Sequence, residues 1–122
     1  MGDYEEAPRR PVLGHAVAAT LMRVLNRPAL AQADVLEQLL LDVAREAEME
    51  VVGKIMKQFT PEGATCVLLL AESHLAVHTW PEHAMATVEI FSCVGKGQAQ
   101  HALRLTKEKF NSSIIKLVEF VH

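Results

Sequence analysis

The segment ATCVLLLAESHLAVHTW, residues 64–80, contains two different strand patterns in direct succession. Its first part, residues 64–73, is an almost continuous apolar run, which predicts a central strand buried on both faces. Its second part, residues 74–80, alternates between apolar and polar side chains and stops at Pro81, as a strand with one buried face does. The segment therefore predicts two strands of one sheet.

Four further strands are predicted on either side of this segment. They cover residues 14–25 and 50–59 before it, and residues 85–93 and 112–121 after it. These stretches are rich in the β-branched and apolar residues that favour strands. The sequence TPEG at 60–63 predicts the turn that leads into the segment, because it has Pro followed by Gly two residues later, as turns often do.

Two helices complete the pattern. Residues 34–49 carry apolar side chains at helical spacing, and Asp34 with Glu37 has the spacing of a capping box. Residues 95–110 have the same period, carried by Ala99, Ala102, Leu103, Thr106 and Phe110. Between the first strand and the first helix, the sequence NRPALAQ is predicted to be an irregular break.

The resulting order, β-α-β-β-β-β-α-β, predicts an α+β fold in the form of a two-layer α/β sandwich. Short turns between the strands indicate a mostly antiparallel sheet with both helices on one face. Residues 14–122 are predicted to form a single domain, preceded by a flexible N-terminal tail over residues 1–13. The other face of the sheet needs a cover, and a second copy of the chain is the simplest one, so we expect a homodimer.

Composition excludes several classes of function. The chain has 122 residues with a net charge of -3, so it lacks the basic excess of a nucleic-acid-binding protein. No apolar run is long enough to span a bilayer, and the charged start does not resemble a secretory signal. Two cysteines suit a reducing compartment without a disulfide framework. We expect a cytoplasmic protein without a membrane or nucleic-acid partner.

The sequence Glu72-Ser73-His74 lies at the junction of the two strand patterns. A plain reversal of the chain is the simplest interpretation, with the Ser hydroxyl bonding to nearby backbone. A tight hairpin, however, normally uses Gly, Asn or Asp, and none of these is present at the junction. This composition argues against a simple turn and favours a functional role.

The histidines and cysteines near the junction have structural and chemical interpretations. His74 and His78 would form a zinc-binding pair on a helix, but residues four apart on a strand are separated by about 13 Å. Without a third clear ligand, no metal site is expected. Cys66 lies inside an apolar run and fits a small buried hydrophobe, whereas Cys93 ends a strand and is a candidate for the edge of a site.

The sequence LLLAESHLAVHTWPE at 68–82, followed by VEIFSC at 88–93, closely resembles the bacterial and archaeal S-adenosylmethionine decarboxylases. These are pyruvoyl-dependent enzymes of polyamine synthesis. Their hallmark is Glu-Ser-His, a second His five residues after the Ser, then Thr-x-Pro-Glu, and a Cys twenty residues after the Ser. Here His78 follows Ser73 by five residues and Cys93 follows it by twenty.

The resemblance implies that the chain cuts itself between Glu72 and Ser73. Ser73 Oγ would attack the carbonyl of Glu72 and turn the amide into an ester. His78 would help to remove the α-proton of Ser73, and elimination would break the chain and leave a pyruvoyl group in place of Ser73. The hydroxyl of Thr65 would stabilise the oxyanion of the attack.

The resemblance also implies how the processed enzyme works. The pyruvoyl group would form a Schiff base with the amine of S-adenosylmethionine and accept electrons as carbon dioxide leaves. Cys93 would return a proton to the substrate carbon. Phe59 would stack on the adenine and Glu82 would hold the ribose hydroxyls. In this family the site lies between two protomers, which agrees with the predicted homodimer, and no metal is expected.

The similarity is strongest over 59–93 and extends in element order over 14–121. The chain departs from the usual pattern by having no acidic, aromatic or Cys residue in 19–24, Lys57-Gln58 in place of His-Arg, His83 in place of Tyr, and EIFSCV at 89–94 in place of DxFTCG. These departures concern the substrate rather than the processing residues. Alternatives are therefore the same chemistry on arginine or ornithine, or a non-catalytic, unprocessed paralogue, although such a paralogue has no chemical reason to keep Ser73, His78 and Cys93.

Overall fold

The computed structural model describes Glu5 and residues 11–122. They contain six strands, β1 (His15–Met22), β2 (Val51–Gln58), β3 (Ala64–Leu70), β4 (Ser73–Trp80), β5 (Met85–Ser92) and β6 (Ser113–Val121). The strands form one sheet in the order β2-β3-β4-β5-β1-β6, in which every pair of neighbours is antiparallel. The predicted α+β sandwich with a mostly antiparallel sheet is confirmed.

Helices α1 (Arg27–Ala31), α2 (Ala33–Glu46) and α3 (Lys96–Lys109) connect these strands. The two long helices, α2 and α3, are those predicted, and both pack on the same face of the sheet. The prediction that NRPALAQ is an irregular break was wrong, because Arg27–Ala31 form helix α1. It forms because the Asn26 side chain accepts a hydrogen bond from the amide of Ala29, while Pro28 occupies the first turn, where no amide donor is needed.

The start of α2 differs from the predicted capping box. The helix begins at Ala33, and the carboxylate of Asp34 accepts a hydrogen bond from the amide of Val35 at 2.9 Å. The Gln58 side chain, at the end of β2, accepts from the Ala33 amide at 2.6 Å. This contact from a distant strand satisfies a free amide of the first turn, so a local cap is not required.

The core lies between the helices and one face of the sheet. Alternate residues of β4 point into it, and Leu75 and Val77 are fully buried. The prediction that β3 is buried on both faces was wrong for the single chain, because Leu68 is fully buried whereas Leu69 is 56% exposed. The largest fully buried side chains are Leu21, Val24, Leu30, Leu36, Leu40, Val43, Leu68, Leu75, Val77, Val88, Ile90 and Phe110.

The face of the sheet opposite the helices, called the open face below, carries exposed apolar residues. The strand register shows which side chains lie on this face. The large apolar side chains exposed there are Ile55, Leu69, Trp80, Val118 and Phe120. In the part of the chain that the structure describes, no helix has the length and apolarity needed to cross a membrane. Most of the predicted tail, residues 1–13, lies outside the described residues. At its end, the amide of Leu13 donates a hydrogen bond to the carbonyl of His122 at 2.9 Å.

Candidate active site

Strands β3 and β4 are joined by a two-residue hairpin. Leu70 pairs with Ser73, and Ala71 and Glu72 form the turn between them. The expectation that a simple turn is absent here was therefore wrong, and Ser73 begins β4 rather than ending the preceding strand. Glu72 permits the reversal by adopting φ 65°. This left-handed conformation costs a non-glycine residue roughly 1–2 kcal/mol, so the peptide bond before Ser73 follows a strained residue.

Glu72, Ser73 and Cys93 form one group, called the hairpin cluster. Ser73 lies on the buried face of β4 and is 8% exposed. The amide of Cys93 donates a hydrogen bond to Ser73 Oγ at 3.2 Å. The Cys93 thiol donates to the carbonyl oxygen of Glu72. Cys93 follows the last residue of β5, so the antiparallel pairing of β4 with β5 brings it to the hairpin.

A cavity of about 520 Å³ opens beside the hairpin cluster and is lined by Leu13, Leu69, Leu70, Glu72, Ser73, His74, Phe91 and His122. The Phe91 ring stacks on His74 with a centroid distance of 5.8 Å and meets His122 edge-on at 5.4 Å. Phe91 also covers Gly14, where an added Cβ would lie 2.4 Å from the ring. Sequence reasoning predicted Glu72 and Ser73 but missed Leu13, Phe91 and His122, because only the strand register brings β5 and the residues that flank β1 and β6 to this edge.

Phe59, Thr65, His78 and Glu82 form a second group, called the distal cluster. They line another cavity, of about 420 Å³, together with the Thr60–Gly63 turn and Trp80. Thr65 and His78 are directly opposed on β3 and β4, and Thr65 Oγ1 lies 2.8 Å from His78 Nδ1. This pairing gives the imidazole a fixed hydrogen-bond partner on one of its two nitrogens.

Buried Thr79 holds the distal cluster in place. Its hydroxyl donates to the carbonyl of Leu30 at 2.7 Å and accepts from the amide of Ala64 at 2.9 Å. These bonds join the end of β4 to α1 and to the start of β3. The Thr of the HTWPE sequence therefore has a structural role next to His78.

The two clusters lie at opposite ends of β4. Ser73 and His78 are five residues apart on one strand, which corresponds to about 16 Å. Their side chains also point to opposite faces, with Ser73 toward the helices and His78 toward the open face. The prediction that residues 64–73 form one strand, which would carry both Thr65 and Ser73, was wrong, since the hairpin places these two residues on different strands. The seven predicted site residues thus form two groups within one chain.

His78 also belongs to a row of polar residues that crosses the open face. Successive pairs in the register are directly opposed, and the row consists of Lys57, Thr65, His78, Thr87, Thr20 and Lys116. Glu89 lies beside this row and lines a cavity of about 310 Å³ with Thr20, Thr87 and Lys116. A partner that covers this face has to offer hydrogen-bonding groups to the row, because polar groups buried without a partner are costly.

The two cysteines differ in environment. Cys66 is fully buried, and the pKa of its thiol is raised to about 11, first by burial and then by the nearby Glu37 carboxylate, while Lys54 acts in the opposite direction. Cys93 is exposed. The predicted role of Cys66 as a small buried hydrophobe agrees with this position. Among the described residues, no three His, Cys, Asp or Glu side chains converge as metal ligands.

Comparison with known proteins matches this fold and these residues to one family. The family model of S-adenosylmethionine decarboxylase matches residues 16–121. The S-adenosylmethionine decarboxylase proenzyme of Archaeoglobus fulgidus is 35% identical over 99 residues, which cover 81% of this chain and 88% of that protein. The proenzyme of the same name from Acidithiobacillus ferrooxidans is 34% identical over 107 residues, covering 88% and 80%.

A solved structure has the same fold. The adenosylmethionine decarboxylase of Aquifex aeolicus superposes with a TM-score of 0.80 at 30% sequence identity, and the match covers 93% of this chain and 91% of that one. The family model spans all six strands and both long helices, so the match includes both clusters. The chain belongs to the S-adenosylmethionine decarboxylase family.

Proposed function

We propose that the chain is a proenzyme that cuts itself between Glu72 and Ser73 and then decarboxylates S-adenosylmethionine, yielding an aminopropyl donor for polyamine synthesis. The observation that carries the proposal is the hairpin cluster. In it, Cys93 contacts both the nucleophile of the cut, Ser73 Oγ, and the carbonyl oxygen of Glu72 that the nucleophile would attack. Family membership gives the reaction class and the substrate.

Processing begins with attack of Ser73 Oγ on the carbonyl carbon of Glu72, which transfers the acyl group from nitrogen to oxygen. The negative charge that develops on the carbonyl oxygen is stabilised by the Cys93 thiol. Loss of the Ser73 α-proton then expels the ester as the carboxylate of Glu72. One water hydrolyses the resulting dehydroalanine, releasing ammonia and leaving a pyruvoyl group at the start of the second chain.

The strained turn favours this first step. Glu72 is held at φ 65° by a hairpin that offers no glycine. Backbone strain in the intact hairpin raises the free energy of the starting state by roughly 1–2 kcal/mol, and the acyl shift gives the chain a way to relax it. Ser73 is buried and its hydroxyl accepts a hydrogen bond from the Cys93 amide, so the hydroxyl has few positions open to it.

The residue that takes the α-proton is proposed to come from a second copy of the chain. His78 lies about 16 Å along β4 from Ser73 and on the other face, so it does not serve the Ser73 of its own chain. The apolar open face, crossed by a polar row, supports pairing of two chains through their open faces. A two-fold arrangement would bring the hairpin cluster of one chain to the distal cluster of its partner.

Residues of both clusters serve the decarboxylation. The pyruvoyl group formed from Ser73 supplies the carbonyl that accepts the electrons released with carbon dioxide. The cavity of about 520 Å³ beside Ser73 has room for the reacting end of the substrate. Cys93 delivers a proton to the substrate carbon, while Phe59, which is 45% exposed, stacks on the adenine and Glu82 binds the ribose.

Two measurements on the purified protein test the activity. Intact mass under denaturing conditions should give two species, 1–72 and a pyruvoyl-initiated 73–122, whereas Ser73→Ala should remain one chain. Carbon dioxide release is then measured with S-adenosylmethionine, arginine and ornithine. Release from S-adenosylmethionine alone is expected. Release from arginine or ornithine instead would refute the substrate, and an uncut wild-type chain would refute the processing.

Mixing two inactive variants tests the shared site. Neither Ser73→Ala nor His78→Ala should cut itself efficiently alone. Refolded together, they form mixed dimers in which one site has an intact Ser73 and an intact His78 from different chains. The 73–122 fragment carrying the His78→Ala substitution should then appear, and its mass identifies it. A mixture of His78→Ala with the Ser73→Ala/His78→Ala double variant is the control. No cutting in the first mixture would refute the shared site.

A further inference from the structure

Ser92 is the last residue of β5 and immediately precedes Cys93. It is fully buried, although it is polar. Its hydroxyl donates to the Oε1 of Gln98 at 2.6 Å and accepts from the amides of Val94 at 3.2 Å and Gly95 at 3.4 Å. The Ser92 hydroxyl therefore bonds both to the backbone of the turn that contains Cys93 and to a side chain of α3.

Gln98 extends this contact to the other long helix. It lies in the first turn of α3, and its Nε2 donates to the carbonyls of Ala47 at 3.2 Å and Glu48 at 3.3 Å, just beyond α2. These two carbonyls lie where a helix end leaves acceptors without intrahelical partners. Ser92 and Gln98 thus tie the end of β5 to the start of α3 and the end of α2.

The position of this turn determines whether Cys93 can contact the hairpin. Its amide and its thiol both contact the hairpin, while its side chain is otherwise exposed. An exposed side chain has no packed surroundings to fix its position, so its backbone has to do so. The amides of the two residues that follow Cys93 are held by the Ser92 hydroxyl, which in turn donates to Gln98.

We propose that Ser92 and Gln98 are positioning residues for Cys93, which set the thiol for both the self-cleavage and the later proton delivery. The inference rests on the proposed function and extends it to two residues outside the clusters. Removal of the hydroxyl leaves two amides and the Gln98 carbonyl without their partner, so the turn relaxes. A displacement of about 1 Å at a catalytic group can cost about a hundredfold in rate.

The test compares three substitutions with the wild-type protein. Ser92→Ala and Gln98→Leu remove the linkage, and Ser92→Thr keeps the hydroxyl. Ser112→Ala is the matched control, because the Ser112 hydroxyl bonds to the carbonyl of Lys107 near the other end of α3 and contacts neither Ser92 nor Cys93. Thermal unfolding of each variant, made in a Ser73→Ala background, reports stability without the complication of cutting.

Two rates are then measured for each variant that carries Ser73. Appearance of the 73–122 fragment gives the processing rate, and turnover of the processed enzyme gives kcat and KM. We expect Ser92→Ala and Gln98→Leu to process at least tenfold more slowly, and their kcat to fall by a similar factor with KM unchanged, because Cys93 acts on chemistry rather than on substrate binding. Ser92→Thr should recover most of both rates.

The outcomes separate this inference from the proposed function. Wild-type rates in Ser92→Ala and Gln98→Leu would refute the positioning role, while a wild-type enzyme that cuts and decarboxylates would still support the function. The positioning role would also be refuted if Ser112→Ala slowed both rates as much as Ser92→Ala does. The same holds if Ser92→Thr is as stable as wild type and yet recovers neither rate. A wild-type chain that neither cuts nor decarboxylates would refute the proposed function itself.

Discussion

The thiol of Cys93 contacts the carbonyl oxygen of Glu72, and the amide of the same cysteine donates to Ser73 Oγ at 3.2 Å. One residue thereby contacts both groups that would react in self-cleavage. The amide orients the attacking oxygen, and the thiol lies where negative charge would develop. A residue proposed from the resemblance as a proton donor in turnover is therefore also placed for the earlier processing step.

Cys93→Ala should slow processing about a hundredfold, because removal of one hydrogen-bond donor to a developing oxyanion typically has an effect of that size. Cys93→Ser keeps a donor and should lose less. Formation of the 73–122 fragment, followed by intact mass, measures both rates. Processing of Cys93→Ala at the wild-type rate would show that the contact with Glu72 is not used in the cut.

Glu72→Gly should stabilise the uncut chain and slow its processing. Glycine adopts φ 65° without the cost of a Cβ, so the hairpin loses its strain. In a Ser73→Ala background, chemical denaturation should show an increase of roughly 1 kcal/mol in the free energy of unfolding. With Ser73 present, the cut should be several times slower.

Glu72→Gln is the matched control for this prediction, because it removes the charge and keeps the Cβ. Its stability and processing rate should remain close to wild type. A glycine variant that is more stable and yet cuts as fast as wild type would show that the strain at Glu72 does not accelerate the cut. In that case the left-handed residue would serve the hairpin alone.

Gly14→Ala should disturb the hairpin cluster through Phe91. A Cβ at residue 14 would lie 2.4 Å from the Phe91 ring and 3.0 Å from the Ser92 carbonyl oxygen, so the ring or the strand has to move. Such overpacking typically costs about 1–3 kcal/mol. We expect a lower unfolding temperature and slower cutting, measured as above.

Gly97→Ala provides the comparison for Gly14→Ala. An added Cβ at residue 97 meets no atom within 4 Å, and the residue lies in the first turn of α3. Alanine is a better helix former than glycine, so this variant should be slightly more stable and cut at the wild-type rate. Equal rates for Gly14→Ala and wild type would mean that the position of Phe91 does not influence the cut.

Much of the fold could be predicted because its signals are local. The alternation of apolar residues in β4 and the helical period of α2 were readable from a few neighbouring residues. The turn at Ala71 and Glu72 was not, since neither residue has an intrinsic preference for it. There the pairing of β3 with β4 overrides the local preference and holds Glu72 at a positive φ.

The candidate site was predictable as a set of residues but not as an arrangement. The resemblance selected Ser73, His78 and Cys93 by spacing in the sequence. Their division into two clusters follows from the strand register, which spacing alone does not give. The contact of Ser92 with Gln98 was missed for the same reason, because it depends on how β5 meets α3 and on the position of the end of α2.

The buried thiol of Cys66 predicts a loss of stability in alkaline solution. Burial raises its pKa from 9.0 to about 11 in the folded chain. Well below pH 9 the thiol is neutral in both states, so its contribution to stability is fully present. As pH rises from 9 toward 11 the unfolded chain ionises first and binds fewer protons than the folded chain, so the free energy of unfolding falls.

Cys66→Val removes this titration while keeping a small apolar side chain in the core. Urea denaturation of both proteins in a Ser73→Ala background, at intervals between pH 8 and pH 11, gives the difference in their free energies of unfolding. That difference should change little near pH 8 and should shift in favour of the valine variant as pH rises through 9 toward 11, because the valine variant lacks the thiol whose ionisation favours the unfolded wild-type chain. A constant difference over the whole range would mean that water reaches the thiol in the folded protein, and that Cys66 is less protected than its position between the sheet and the helices implies.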